Sequence, residues 1–249
     1  MVAIASIAMM SCSKDVDIQI PNTVIKRPNN LVKPLVLSFQ NYSTLDSGII
    51  AKFLFRNNLV DSTIYRNDGT MKNGNFSIDR FNQDNECFYS NNGFMESNNI
   101  PFNISKNYTI TFWVKMMGFT EGNSLMELNK NRRYDGNPIV WMSKDTIYLS
   151  QCNKSKNRIV IKDIPSMLNK WVNVTWVLHD GITILYVDGK TVGVSNFVYP
   201  DYSDITLTLG NAGNIGSPLH NQPSDAYLDD VKIYNRVLTE SEIIEISKN

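Results

Sequence analysis

From Gly48 onward, hydrophobic and polar positions alternate with a period of two through much of the chain. In Thr109-Ile-Thr-Phe-Trp-Val-Lys115, Ile110, Phe112 and Val114 fall on one face and Thr109, Thr111 and Trp113 on the other. Trp171-Val-Asn-Val-Thr-Trp-Val-Leu178 places Val172, Val174, Trp176 and Leu178 together, and Ile205-Thr-Leu-Thr-Leu209 repeats the pattern. Such two-faced strands, separated by turns rich in Asn, Gly and Asp, predict an antiparallel sandwich whose sheets bury one face against each other. No internal repeat and no second core interrupt the pattern, so residues 47–249 are expected to form one all-β domain.

The last third carries the sharpest local signals. Ile182-Thr-Ile-Leu-Tyr-Val187 is a strand of β-branched and aromatic residues, Asp188-Gly189 is a hairpin turn, and Thr191-Val-Gly-Val194 is the returning arm. Thr239-Glu-Ser-Glu242 is a capping box, with Leu238 and Ile243 placed as a hydrophobic staple. A short C-terminal helix pinned to a sheet by Leu238 follows.

The N-terminus has a different character. The apolar run Met1-Val-Ala-Ile-Ala-Ser-Ile-Ala-Met-Met-Ser-Cys12 resembles the lipobox end of a bacterial lipoprotein signal. It gives way to Ser13-Lys-Asp-Val-Asp17, which is similar to the export signal of Bacteroidetes surface lipoproteins. The run lacks a basic n-region, which leaves room for a start further upstream. The alternative is a buried N-terminal strand or helix. On the lipoprotein reading, residues 1–11 are signal and Cys12 is the lipidated first residue. Residues 12–46, with Pro21, Pro28 and Pro34 among Asn and Lys, form a tether. Acyl chains contribute about 0.8 kcal/mol per buried methylene, so the anchor needs no transmembrane helix. No later segment approaches the roughly 18–20 apolar residues of a span.

Ala51-Lys-Phe-Leu-Phe55, the polar run Asn58, Asp61-Ser62 and Asn67-Asp-Gly69, Tyr108 to Val114, Lys170 to Val177, and Ile184 to Lys190 with Tyr227 to Leu238 together resemble LamG-like domains. These belong to the concanavalin A-like lectin/glucanase superfamily. A His common before the family's Gly69 position is here Asp68. The resemblance implies a two-sheet jelly-roll sandwich with a short C-terminal helix.

Charge narrows the partners little: Lys+Arg and Asp+Glu each number 24, so a nucleic acid is not expected, nor a membrane contact beyond the lipid anchor. Catalytic members of the superfamily carry Glu-x-Asp-x-x-Glu on a strand, whose alternate carboxylates share a cleft. Here the only comparable spacing is Glu240, Glu242 and Glu245, on the expected helix, where Glu242 is already a cap. A glycoside hydrolase is therefore a distant alternative. The two histidines, His179 and His220, have no nucleophile-elbow context and no zinc-ligand spacing. His179 beside the Asp180-Gly181 turn reads as a solvated histidine.

Calcium, common in LamG-like domains, is the cofactor the resemblance implies. Asp61 and Asp229 or Asp230 match its ligands; alternatively Asp61 makes an Asx turn and the Asp pair bonds neighbouring loops. An envelope location would permit a disulfide between Cys87 and Cys152, although isolated cysteines in β domains are more often small buried residues. For a glycan, aromatic platforms beside amides and carboxylates are required. Tyr134 with Trp141, and Tyr199 and Tyr202 with His220, are the candidates. The resulting expectation is a non-catalytic, lipid-anchored surface protein of an outer membrane that binds a glycan or a protein. By family and compartment analogy it would be an accessory to a TonB-dependent transporter and its lid lipoprotein, or a purely structural subunit of that complex.

Overall fold

The structure is a computed structural model that describes residues 45–91, 93–118, 123–130, 138–143, 146–151, 154–161, 168–210 and 224–249. The expected lipidation site Cys12, the tether, Tyr134, Cys152 and His220 lie outside these residues.

In chain order the strands are β1 Ile49–Phe53, β2 Thr70–Lys72, β3 Asn75–Ser77, β4 Cys87–Tyr89, β5 Phe94–Asn103, β6 Tyr108–Met116, β7 Asn123–Asn129 and β8 Pro138–Ser143. They continue with β9 Thr146–Gln151, β10 Lys154–Ile161, β11 Trp171–His179, β12 Ile182–Val187, β13 Lys190–Asn196, β14 Ser203–Gly210 and β15 Ala226–Tyr234, before helix α1 Glu240–Ile246. The first sheet runs β13-β12-β11-β6-β15-β4-β3 with β1 also on β15, and the second runs β10-β9-β8-β7-β14-β5-β2. All named pairings are antiparallel, as a two-sheet jelly roll requires.

The expected alternation is what the sheets bury. Ile110, Phe112 and Val114 of β6 and Ile205, Leu207 and Leu209 of β14 are fully buried between the layers, and Val172, Val174, Trp176 and Leu178 join them. Burial of each such side chain contributes about 1.5–3 kcal/mol. β11 departs from a simple half-exposed strand, because its other face is covered as well. There Asn173 and Thr175 hydrogen-bond to Thr111 at 3.2 and 3.0 Å, so the polar face of the strand is closed by its own partners.

The C-terminal helix forms as its sequence predicts. Thr239 N donates to Glu242 Oε2 at 2.7 Å while Glu242 N donates to Thr239 Oγ1 at 3.3 Å, completing the capping box. Arg236 adds a two-pronged pair to Glu242, at 3.0 and 2.7 Å. Leu238, Ile243 and Ile246 form a second, smaller core with Val177 and Tyr234, so the helix covers the outer side of the first sheet. Gly189 lies beneath it. Its φ is +72°, and a Cβ there would stand 2.7 Å from Ser247 Oγ and 3.2 Å from Ile244 Cα. The Asp188-Gly189 turn therefore needs glycine both for its backbone and for the approach of the helix.

Cys87 is a free, buried thiol that donates weakly to Ile78 O, so it is the small buried residue and not half of a disulfide. No helix among the described residues is long and apolar enough to cross a membrane.

Candidate functional site

The loop between β1 and β2 is organised around one carboxylate. Asp61 is fully buried, and its oxygens accept from Lys52 N, Thr63 N and Asn67 N at 3.0 Å each and from Thr63 Oγ1 at 2.9 Å. Asp68 Oδ1 accepts from Asp61 N at 2.9 Å, and Gly69 N closes the loop onto Leu59 O at 2.8 Å. Asp and Asn favour this arrangement because their short side chains satisfy backbone donors in place of a ladder. With its backbone held from inside, the loop turns Ile64 and Tyr65 outward, 89% and 45% exposed.

These two side chains border a groove of about 500 Å³ against β1 and the end of β15, lined also by Asp46, Lys52, Thr63 and Asn235. Lys52 Nζ pairs with Asp46 at 3.2 Å, with side-chain exposures of 26% and 75%. An exposed pair of this kind holds with little energy, so an incoming polar ligand can rearrange it. The groove thus offers an aromatic ring, an aliphatic rim, the Ser62 hydroxyl, an amide and both signs of charge, while the Thr63 hydroxyl is held by Asp61 and Tyr65 N. No sequence period announces it: Ile64 and Tyr65 lie in a non-repetitive polar loop. The one available signal was the dense Asp61…Asn67-Asp68-Gly69 cluster, which marks a structured loop.

The carboxylates expected to bind calcium have protein partners in the structure. Asp61 serves the loop just described, while Asp229 and Asp230 sit at a bulge of β15, where the register with β6 shifts between Asp229 and Lys232 and Asp230 takes φ of +46°. The bulge aims both carboxylates at Arg80. Arg80 Nη1 pairs with Asp229, Nη2 with Asp230 at 2.5 Å, and Nε and Nη2 donate to Asn249 O at 3.3 and 3.1 Å. The guanidinium also lies over the rings of Phe81 and Trp113, 4.4 and 4.9 Å from their centroids. Burial, then the neighbouring Asp230 and Asp79, push the Asp229 carboxyl up to about 7 against the pull of Arg80. Here the Asp pair ties β15 to Arg80 and the chain end. Among the described residues, no three His, Cys, Asp or Glu side chains gather where they could hold a metal ion.

Of the aromatic candidates, Tyr199, Tyr202 and Trp141 lie among the described residues. Tyr199 is 6% exposed and packs edge-on against Phe197, Tyr202 packs against the core, and Trp141 stands partly exposed on β8. His179 is exposed beside Asp180 at 3.4 Å. A different aromatic row, Trp171, Tyr227 and Tyr89 with Lys115 between, crosses one rung of the first sheet's outer face. Tyr89 and Tyr227 stack at 4.3 Å, each covering a face of the other, and Lys115 covers Tyr227 at 4.5 Å.

Comparisons with known proteins agree with the architecture. The Laminin_G_3 profile, described as the concanavalin A-like lectin/glucanases superfamily, matches residues 89–244. The binding domain of botulinum neurotoxin serotype D/C VPI 5993 is similar in structure, with a TM-score of 0.64 at 14% identity over 82% of this chain and 53% of the other. The serotype D binding domain matches with a TM-score of 0.62 at 19% identity, over 81% of this chain and 51% of the other. The chain therefore spans about half the length of these toxin domains. Domain 4 of AbnA, a GH43 extracellular arabinanase from Geobacillus stearothermophilus solved with arabinotriose, matches with a TM-score of 0.57 at 16% identity, covering 80% of this chain and 98% of that one. At these identities the likeness is one of fold. A search of curated proteins returned no match. With two antiparallel sheets arranged as a jelly roll and a family match over more than half its length, the chain belongs to the concanavalin A-like lectin/glucanase superfamily.

Proposed function

We propose that this protein is a non-catalytic binding module that holds a glycan in the groove beside Ile64 and Tyr65. The observation that carries this reading is the groove itself: an outward tyrosine and isoleucine on a loop held rigid by Asp61, facing Lys52, Asp46, Thr63 and Asn235. Sugars present apolar C–H faces and a ring of hydroxyls, and this mixture of one aromatic face with convergent polar groups suits both. The fold shared with an arabinanase domain solved with arabinotriose is consistent with the ligand class. The lipobox-like run ending at Cys12 supports a lipid-tethered protein of an outer-membrane surface, in which glycan capture would serve TonB-dependent uptake.

A glycan array probed with the full chain tests the reading. A hit is expected, and Tyr65→Ala should weaken it about tenfold or more, the effect of losing roughly 1.4 kcal/mol of contact. Asp61→Asn should weaken it too by loosening the loop, although Asp61 does not face the groove. Silence across host and plant polysaccharides, or binding indifferent to Tyr65→Ala and Lys52→Ala, overturns it.

One observation favours a second reading. Ile64 is so exposed that it suits a protein contact as well as a sugar. If the chain is a transporter subunit, it should co-purify with a large outer-membrane barrel after mild detergent extraction, and Ile64→Asp should release it. Purification alone sinks that alternative.

A further inference from the structure

A small acidic cleft of about 160 Å³ lies where the segment 79–86 meets the bulge of β15. Four carboxylates border it, those of Asp79, Glu86, Asp229 and Asp230, together with the two guanidinium groups of Arg56 and Arg80. Both cations are already engaged: Arg80 pairs with Asp229 and Asp230, and Arg56 Nε meets Glu86 Oε2 at 3.2 Å. Fully ionised, four negative charges face two positive ones, so the cleft keeps a surplus of negative charge. Burial, with the neighbouring Asp230 and Asp79, pushes the Asp229 carboxyl up to about 7, so a proton already serves in part as the missing counter-charge.

Asp79 presents that surplus to the cleft. It is only 7% exposed, and its Oδ1 accepts from Phe81 N and Gln83 N at 2.8 Å each. Among the described residues nothing donates to its Oδ2, yet that oxygen is not sealed inside the protein, so it opens into the cleft that Asp79 lines. A buried carboxylate oxygen ordinarily has a donor. Glu86 Oε1 and Asp230 Oδ1 likewise accept no hydrogen bond from a described residue.

These features define an occupant. It is a cation, and it donates hydrogen bonds. Among the described residues no three acidic side chains converge tightly enough to hold a metal ion, so the occupant reaches separated oxygens through several N–H groups. The cleft equals about five water volumes at ~30 Å³ each, which admits a guanidinium or ammonium head and little of its tail. Phe81, 58% exposed, borders the same space, and Arg80 lies over its ring at 4.4 Å, so cation and ring already meet here.

We propose that this cleft binds a small organic cation with several N–H donors, an alkylguanidinium or a primary alkylammonium, through Asp79, Glu86 and Asp230. It shares no lining residue with the groove beside Tyr65 and does not rest on the groove's function.

The test is a titration of the full-length, 15N-labelled chain at pH 8 and constant ionic strength with methylguanidinium and ethylammonium chlorides, each to about 100 mM so that millimolar affinities register. Tetramethylammonium, which has charge but no N–H, and calcium chloride are the controls. The readout is the backbone amides of Phe81 and Gln83, which both donate to Asp79. At least one of the two N–H cations should shift them saturably, and neither control should match it. Asp79→Asn keeps the Oδ1 acceptor and Glu86→Gln keeps the shape; each should weaken binding about tenfold. Asp180→Asn, which removes an exposed charge outside the cleft, should leave it unchanged. The proposal is overturned if neither N–H cation moves the amides, if either control moves them as strongly, or if folded Asp79→Asn binds at full affinity. Thermal melts establish folding, and should Asp79→Asn not fold, Glu86→Gln decides the last point.

Discussion

Single residues in this protein are defined less by their type than by what already occupies their polar atoms. Asp61 and Asp229 are both buried carboxylates, yet Asp61 is filled by backbone donors and Asp229 by a guanidinium in a crowded acidic setting. For Asp229 the folded-state pKa lies above the ordinary value, at about 7 against 3.8, with burial the first cause. A raised folded pKa means the folded protein holds this proton more tightly than the unfolded chain does. The associated stability is fully present below about pH 4 and is lost as pH rises toward and through 7. Urea midpoints for the wild type and Asp229→Asn, measured from pH 4 to 8, should diverge because of this proton. The wild type should carry up to about 1.4 kcal/mol per pH unit of downward slope that the variant lacks. Parallel profiles would show that Arg80 neutralises the site completely.

At the scale of elements, turns and caps were the most legible features, because their chemistry is local. Asp188-Gly189, Asp180-Gly181 and the Thr239–Glu242 capping box all take the conformations their residue types favour. What a turn lies beneath is a different matter. Gly181 and Gly189 have φ of +79° and +72°, but a Cβ at Gly181 would meet nothing within 4 Å, whereas at Gly189 it meets the helix. Gly181→Ala should therefore cost about 1–2 kcal/mol, the price of a left-handed alanine alone. Gly189→Ala should cost more, about 2–4 kcal/mol, because the helix must also shift off its small core. Equal losses in chemical denaturation would mean that the helix yields freely. The bulge in β15 was not legible: Asp229-Asp230 reads as a strand, and the shift in register appears only where Arg80 arrives from a segment about 150 positions away in sequence.

Across the whole molecule, stability and function are assembled from contacts of long sequence separation. β15 is paired on both sides, by β6 and by β4 and β1, and β3 covers the far side of β4 as the outermost strand, so β4 is expected to open only when the sheet does. Cys87 in β4 reports on this directly. Its thiol is wholly buried, and its pKa is pushed up to about 12, first by burial and then by Asp229 and Asp79. Little thiolate exists at neutral pH, so alkylation of Cys87, followed by peptide mass spectrometry, should be negligible in the native protein and should track global unfolding in denaturant. Labelling well below the unfolding transition would show that the edge opens separately.

The sequence by itself determined the architecture: period-two strands with inward Ile, Phe, Val and Trp, glycine turns and a capped helix are consequences of side-chain direction and backbone sterics within a few residues. The tertiary structure alone decided what the chemically capable residues do. It gave Asp61 to the backbone donors of its own loop, Asp229 and Asp230 to Arg80, and Tyr199 to the core. It also formed a groove beside Tyr65 from segments far apart in the chain. The reason is physical: a hydrogen-bonding group or an aromatic ring takes whichever partner folding brings nearest, and in a jelly roll those partners come from strands paired across most of the chain's length.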